Sequence, residues 1–255
     1  MEFNLLFLLL YALWGLVVGL MVGFTAIGKG ILGTPGLIIF FHLDPVIAVG
    51  SMGFAGVVMM LASVVQHWKE KNIEWRIAGI FSVTAIPASY FAAYYADAIN
   101  AVLPLKFIIG IIILVSTVLL FYRYVIMKPK PRELEVPRWK LVAAPFLGLV
   151  LGALMGATSI SGSIIVIIFL LVLKLPSPIS VGTTSAVAAV SLAVAAVAHI
   201  SEGHMDWQAV IGLIPGVIIG STIGSRYVNK VPRQLLRYTI LVILVIAGVI
   251  VVVKG

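Results

Sequence analysis

Lys29 stands between two glycines in the run Thr25-Ala26-Ile27-Gly28-Lys29-Gly30, inside an apolar stretch from Leu5 to Phe41. A charge at membrane depth costs roughly 2.5–3.5 kcal/mol on insertion scales, so such a residue usually marks function. Glycines on either side break a helix. The break frees backbone N–H groups and exposes a positive dipole end, both suited to holding an anion. A matching stretch further on reads Thr158-Ser159-Ile160-Ser161-Gly162-Ser163, with hydroxyls where the first has a charge. Thr25, Gly28, Lys29, Gly30, Thr158, Ser159, Ser161, Gly162 and Ser163 are therefore candidate anion ligands. Plainer readings stay open for each. Glycine permits close helix packing, lysine snorkels from a hairpin turn to water, and hydroxyls bond the carbonyl one turn back.

A second set of hydroxyls recurs in the same way. Ser51 follows Pro45, and Thr183, Thr184 and Ser185 follow Pro178, each by about a turn and a half. Related by a pseudo-two-fold axis in the membrane plane, they would meet at mid-depth and donate to one shared anion. Internal bonds to helix carbonyls are the alternative. His67 and His199 end equivalent segments and are candidates for proton coupling, or else polar caps at the interface. His42, Asp44 and His204 read as loop residues. Trp14, Trp68, Trp75, Trp139 and Trp207 read as interfacial anchors. Arg226 and Arg237 read as facing lipid phosphate, with a gating role as the alternative. No His, Asp or Glu cluster has metal-ligand spacing and no nucleotide-binding motif is present. No metal or cofactor is expected. The absence of cysteine removes disulfides, thiolate catalysis and Cys-based zinc sites.

The elements that carry these residues are membrane helices. Hydrophobic residues make up 62% of the 255-residue chain and charged ones 10%, against about 25% charged in soluble domains. The first twenty residues lack a basic leader and a cleavage site, so they read as a membrane helix rather than a signal peptide. The chain also repeats. Gly15, Leu16, Val17, Gly19, Gly23, Thr25 and Ile27 recur as Gly148, Leu149, Val150, Gly152, Gly156, Thr158 and Ile160, and His67 to Trp75 matches His199 to Trp207. This gives a first membrane repeat over 1–125, a Pro- and charge-rich linker over 126–140, and a second repeat over 141–255. Each repeat holds one long broken stretch, Leu5–Phe41 or Leu141–Leu173, and three ordinary spans. The first three are Pro45–Gln66, Trp75–Ala96 and Leu103–Tyr124. The second three are Pro178–Ala198, Trp207–Val228 and Leu235–Val253. The expected fold is all-α integral membrane, with two inverted repeats, each a broken helical hairpin plus three transmembrane helices. That is eight conventional helices, or ten segments.

Charge sets the orientation. If each long stretch goes in and returns, fourteen of the seventeen Lys and Arg share one face, while Glu2, Asp44, Asp97, Glu202 and Asp206 share the other. The basic face is cytoplasmic on this count, and both termini lie outside. The formal charge of +8 then marks cytoplasmic loops rather than a nucleic-acid partner. The expected partners are the lipid bilayer, a small anionic substrate and a coupling proton or ion; the sequence sets no oligomeric state.

The paired motifs resemble the TauE/SafE sulfite-exporter family, also called TSUP transporters. In the first half they read GKGILGTPGL, DPVIAVGSMG and NIEW; in the second, SISGSIIVI, SPISVGTTSA and HMDW. The likeness spans nearly the whole chain. It implies secondary transport of a small sulfur-containing anion such as sulfite, thiosulfate or an organosulfonate, across the cell membrane. In that family the first break is usually a run of glycines, which Lys29 interrupts here. An intramembrane enzyme and a non-transporting membrane subunit are the alternatives from other classes. The first lacks a Ser–His or paired-Asp arrangement; the second predicts no saturable anion binding.

Overall fold

The computed structural model describes residues 4–25, 29–122, 138–160 and 177–227, together with 165, 169, 175, 241–242 and 245–251. Among these residues all regular structure is helical. Five helices are long and apolar enough to cross a membrane, and a bent pair makes a sixth. Their apolar side chains face outward as well as inward, as at Leu6, Leu9, Val83, Phe146 and Val197, because the surrounding solvent is lipid. The chain is a multi-pass membrane protein.

Helix α1 spans Leu5–Thr25. A single π-helical turn, Lys29–Gly33, and a short helix α2, Thr34–Phe40, follow it. The stretch from Leu5 to Phe41 thus consists of one full span and a short return. Helix α3, Pro45–Lys69, starts where Pro45 takes the first helical position, with the Asp44 carboxylate accepting the Val46 N–H at 2.9 Å; proline lacks the N–H that would be orphaned there. Helix α4 spans Trp75–Tyr94.

The expected span Leu103–Tyr124 matches one helix to within three residues at either end, and a further element precedes it. A separate short helix, α5 (Ala96–Val102), meets α6 (Leu105–Phe121) at 86°. Pro104 excludes the helical conformation at the residue before it, and Leu103 is extended at φ −130°, ψ 104°. The Asn100 side chain accepts the Leu105 N–H at 2.9 Å and fixes the corner.

In the second half α7 spans Arg138–Thr158, beginning inside the stretch expected as linker; α8 spans Ser177–Ser201 and α9 Trp207–Tyr227. The expected Leu235–Val253 span falls largely outside the described residues, of which 245–251 are helical.

The most extensive packing joins the halves: α1 lies along α9, α4 along α7 and α8, and α3 along α8. Glycines make the first two seams. A Cβ at Gly15 or Gly19 would strike the Leu213 or Val217 carbonyl, and one at Gly148 or Gly152 would strike the Phe81 or Ala85 carbonyl. These are the same contacts exchanged between halves, since Gly15 matches Gly148 and Phe81 matches Leu213 at the repeat offset. Both seams are parallel. Helices α3 and α8, which are equivalent, run antiparallel: Ser63 bonds Ser185 at 2.7 Å, while Gly50 faces the His199 Cβ. One face of the bundle therefore carries Asn4, Asp44, Asp97 and the loop 202–206; the other carries the loop 70–74 and the start of α7.

Candidate functional site

The two breaks meet. A Cβ at Gly30 would lie 2.5 Å from the Ile160 Cα and 2.6 Å from the Ser159 carbonyl oxygen, so the backbones touch where a side chain cannot fit. Thr34 and Ser159 share a buried hydroxyl–hydroxyl hydrogen bond of 2.7 Å between the two breaks. Gly53 of α3 faces the Ser159 Cβ at 3.6 Å.

Local chemistry explains how α7 stops here. The last carbonyls of a helix have no partner within it. Several carbonyls at the end of α7 find partners outside the regular helix ladder. The Thr158 hydroxyl donates to the Leu154 carbonyl at 2.5 Å, and the Ser159 N–H donates to the Met155 carbonyl at 2.8 Å. His199 Nε2 reaches the Gly156 carbonyl at 3.0 Å. Ser159 turns the chain with φ +54°, a left-handed conformation that ends helices. The Ile160 N–H then donates to Thr158 Oγ1 at 3.3 Å.

On the opposite side of the crossing, the Trp14 indole N–H donates to the Gly33 carbonyl at 3.3 Å, and its ring sits on Gly36. Trp14 is thus a brace for the first break, which corrects its reading as an interfacial anchor. A tryptophan one helix away from a glycine break could have suggested this.

A family model described as sulfite exporter TauE/SafE matches residues 11–251. The chain belongs to the TauE/SafE family. It is 28% identical over 251 residues to the probable membrane transporter protein YjnA of Bacillus subtilis (strain 168), covering 91% of this chain and 95% of that one. Over 236 residues it is 28% identical to the probable membrane transporter protein YdhB of the same organism, covering 92% and 96%. No solved structure matches. The family is one of membrane transporters, not enzymes.

Within this TauE/SafE chain the remaining candidates separate. Thr25 is the last residue of α1 and Lys29 opens the π-helical turn; their side chains, and all of Gly28, Ser161, Gly162 and Ser163, lie outside the described residues. The expectation that Ser51 meets Thr183–Ser185 at mid-depth is corrected. The antiparallel α3–α8 pair sets Ser185 beside Ser63, and the rise of about 1.5 Å per residue puts roughly 18 Å between that level and Ser51.

Ser51 and Thr183 instead act as matched staples. Ser51 Oγ accepts the Asp206 N–H at 2.9 Å, and Thr183 Oγ1 accepts the Glu74 N–H at 3.0 Å. Asp206 and Glu74 are the residues just before α9 and α4. Ser185 donates to the Val181 carbonyl at 2.9 Å. Thr184 differs from all of these. It is buried, and its hydroxyl has no partner among the described residues. Its counterpart in the first half, Met52, rests its sulfur against Gly33 in the first break.

The histidines are also unlike each other. His199 is 2% exposed, too buried for an interfacial cap. His204, read as a loop residue, is buried beside it, with Nδ1 atoms 3.4 Å apart, and its Nε2 lies 2.9 Å from the Asp97 carboxylate. His67 is half-buried and its Nδ1 has no partner among the described residues. Sequence reasoning missed Thr34, His204 and Asp97. For His204 the signal was present: it falls where the first half has Asn72.

Proposed function

We propose that this chain is a secondary transporter of a small sulfur-containing anion — sulfite, thiosulfate or an organosulfonate — working by alternating access at two opposed helix breaks. The observation that carries the reading is the direct meeting of Gly30 with Ser159–Ile160. Two broken helices that touch near the interface of two repeats form the kind of site at which substrate binds. The description of the family as sulfite exporters supports this substrate class.

Lys29, next to Gly30, supplies the positive charge, and freed N–H groups of both breaks supply uncharged donors. Gly28, Ser161, Gly162 and Ser163 complete the two breaks, with Thr25, Thr158 and Ser159 beside them. Thr184, whose buried hydroxyl has no partner among the described residues, stands at the level of Ser63, about 15 Å along α3 from the Gly30–Ser159 contact; it serves the anion's path, since a buried donor left unsatisfied costs free energy until a ligand arrives. Ser51, Thr183 and Ser185 hold the helices around this site rather than touching the anion.

The repeats 1–125 and 141–255, tethered by 126–140, interleave, so the moving bodies are the cross-repeat pairs α1–α9 and α4–α7 rather than the two halves of the sequence. The basic linker is cytoplasmic, both termini are outside, and the chain resides in the cell membrane. His67 and His199 are the proton-coupling groups in this scheme.

The test is uptake of labelled sulfite, thiosulfate and taurine into proteoliposomes holding the purified full chain. Saturable flux of one of them is expected. Lys29→Ala should weaken binding by roughly 1.5–3 kcal/mol, the value of one charge-assisted hydrogen bond. Absence of saturable flux for all three would leave a non-transporting subunit. Unchanged affinity in a folded Lys29→Ala variant would return Lys29 to snorkelling.

A further inference from the structure

A chain of titratable groups runs from one face of the bundle to the second break. Asp97 on α5 has a side chain 74% exposed, and its carboxylate lies 2.9 Å from His204 Nε2. His204 Nδ1 is 3.4 Å from His199 Nδ1, and His199 Nε2 is 3.0 Å from the Gly156 carbonyl. Both imidazoles are buried. Thr158, where α7 ends, is two residues beyond Gly156.

The partners dictate where hydrogens sit. A carbonyl only accepts, so His199 Nε2 carries its hydrogen. A neutral imidazole has one N–H, so His199 Nδ1 is then a bare acceptor. The Asp97 carboxylate also only accepts, so His204 Nε2 carries its hydrogen and His204 Nδ1 is bare too. Two bare nitrogens then face each other. One additional proton between them completes every bond in the chain. With that proton the group is an imidazolium and a carboxylate, net neutral, which is the tolerable form for a buried network. Without it, either the two nitrogens repel or the Gly156 carbonyl, an end-of-helix acceptor, loses its donor.

The surroundings leave this group its own charges. The charged or titratable groups acting on His199 are His204 and Asp97. Helix α3 presents Gly50 there, and α7 presents the Gly156 carbonyl. Of the nearby acids, Asp206 is held by Tyr11 and the Ala209 N–H, Asp44 by the Val46 N–H, and Glu202 is exposed.

Among the described residues the first half has no such chain. His67 matches His199, but Asn72 stands in the place of His204 and donates to Glu70. The backbone is otherwise the same: the Asn72 N–H donates to the His67 carbonyl at 2.9 Å, and the His204 N–H to the His199 carbonyl at 2.8 Å. The device is therefore built into one face alone.

We propose that Asp97, His204 and His199 form a proton-loading relay, which binds a coupling proton from the Asp97 face and reports it to the second helix break through the Gly156 carbonyl. This deepens the transport reading and rests on it for the word coupling. Proton entry at Asp97 completes the bond to Gly156 and secures the end of α7. Proton loss frees that carbonyl and lets the break rearrange.

Two measurements on the full chain test it. In proteoliposomes, a pH gradient of one unit can sustain up to about tenfold accumulation per coupled proton. Asp97→Asn and His204→Asn should each abolish gradient-driven sulfite accumulation and flatten its dependence on pH at the Asp97 face. Glu202→Gln, on the same loop, should keep both. The His204→Asn change installs the residue that the first half carries, so an unchanged unfolding midpoint is expected. Wild-type accumulation in either relay variant overturns the proposal. Independently of any substrate, nitrogen-15 histidine spectra across pH should show His199 and His204 titrating as a coupled pair, with the coupling lost and a single-site curve left for His199 in His204→Asn. Independent titration of all four histidines overturns the relay even if sulfite is transported. A coupled pair without saturable flux of sulfite, thiosulfate or taurine keeps the proton site and sinks the transport reading.

Discussion

The hydroxyls divide by what they already bond. Ser51 and Thr183 are spent on the N–H groups of Asp206 and Glu74. Replacing either by alanine leaves a buried N–H without an acceptor, at about 1–3 kcal/mol. Thermal unfolding in detergent should show that loss in Ser51→Ala and in Thr183→Ala. The two losses should add within about 0.5 kcal/mol, because the sites are far apart and share no partner; strong coupling between them would place them at one ligand after all. Thr184 should behave oppositely. Thr184→Val keeps the shape and removes a hydroxyl that has no partner among the described residues, so stability should hold or rise. Sulfite binding should weaken by about 0.5–1.5 kcal/mol, read by titration calorimetry. Equal affinity in Thr184→Val would remove it from the site. The sequence showed that these hydroxyls recur in pairs. It could not show which of them was engaged, because the partners are backbone groups of a loop in the other half. Thr34 was hidden for a related reason, since its partner Ser159 comes from the opposite break. Lys29 was legible at once as a charge in an apolar run.

Glycine decides how closely the helices approach. Gly19 and Gly152 sit at matching places in the α1–α9 and α4–α7 seams, each with a carbonyl where a Cβ would go. Gly19→Val and Gly152→Val should therefore both force the seams apart and lower the unfolding midpoint. Gly79 is the control. It lies in α4 with no atom near its missing Cβ, so Gly79→Ala should be stabilising by up to about 1 kcal/mol through helix propensity. A larger loss at Gly79 than at Gly152 would refute the seam. Spans Pro45–Gln66, Trp75–Ala96, Pro178–Ala198 and Trp207–Val228 could be read closely from the apolar runs, because proline or tryptophan marks each start. The corner at Pro104 was not legible as a corner. Ala96–Val102 is apolar enough to merge with its neighbours, and only the restriction before proline separates it.

At the scale of the molecule, the face that carries Asn4 also carries the loop 202–206, through the Gln208 side chain's bond to the Asn4 carbonyl at 2.7 Å. Cysteines placed one at a time in this cysteine-free chain should report that pairing. Positions 4 and 201 should react with a membrane-impermeant thiol reagent from one side, and position 130 only from the other. Labelling of 130 and 201 from the same side would overturn the orientation proposed for the linker. The charge count gives the same expectation, because basic loops are the strongest topological signal a sequence holds. Which surfaces of the halves touch was beyond it. The seams join α1 to α9 and α4 to α7, so neither half encloses its own interior. A ribosome making this chain delivers α1 to the bilayer with its glycine face open, and α9, the helix that closes that face, emerges only after α2 to α8. Until then the nascent protein is a set of inserted but unmatched helices, exposed to lipid, to the insertion machinery and to membrane proteases. Slow or interrupted synthesis of the second half should therefore cost this protein more than the loss of the same number of residues from a chain whose halves fold alone.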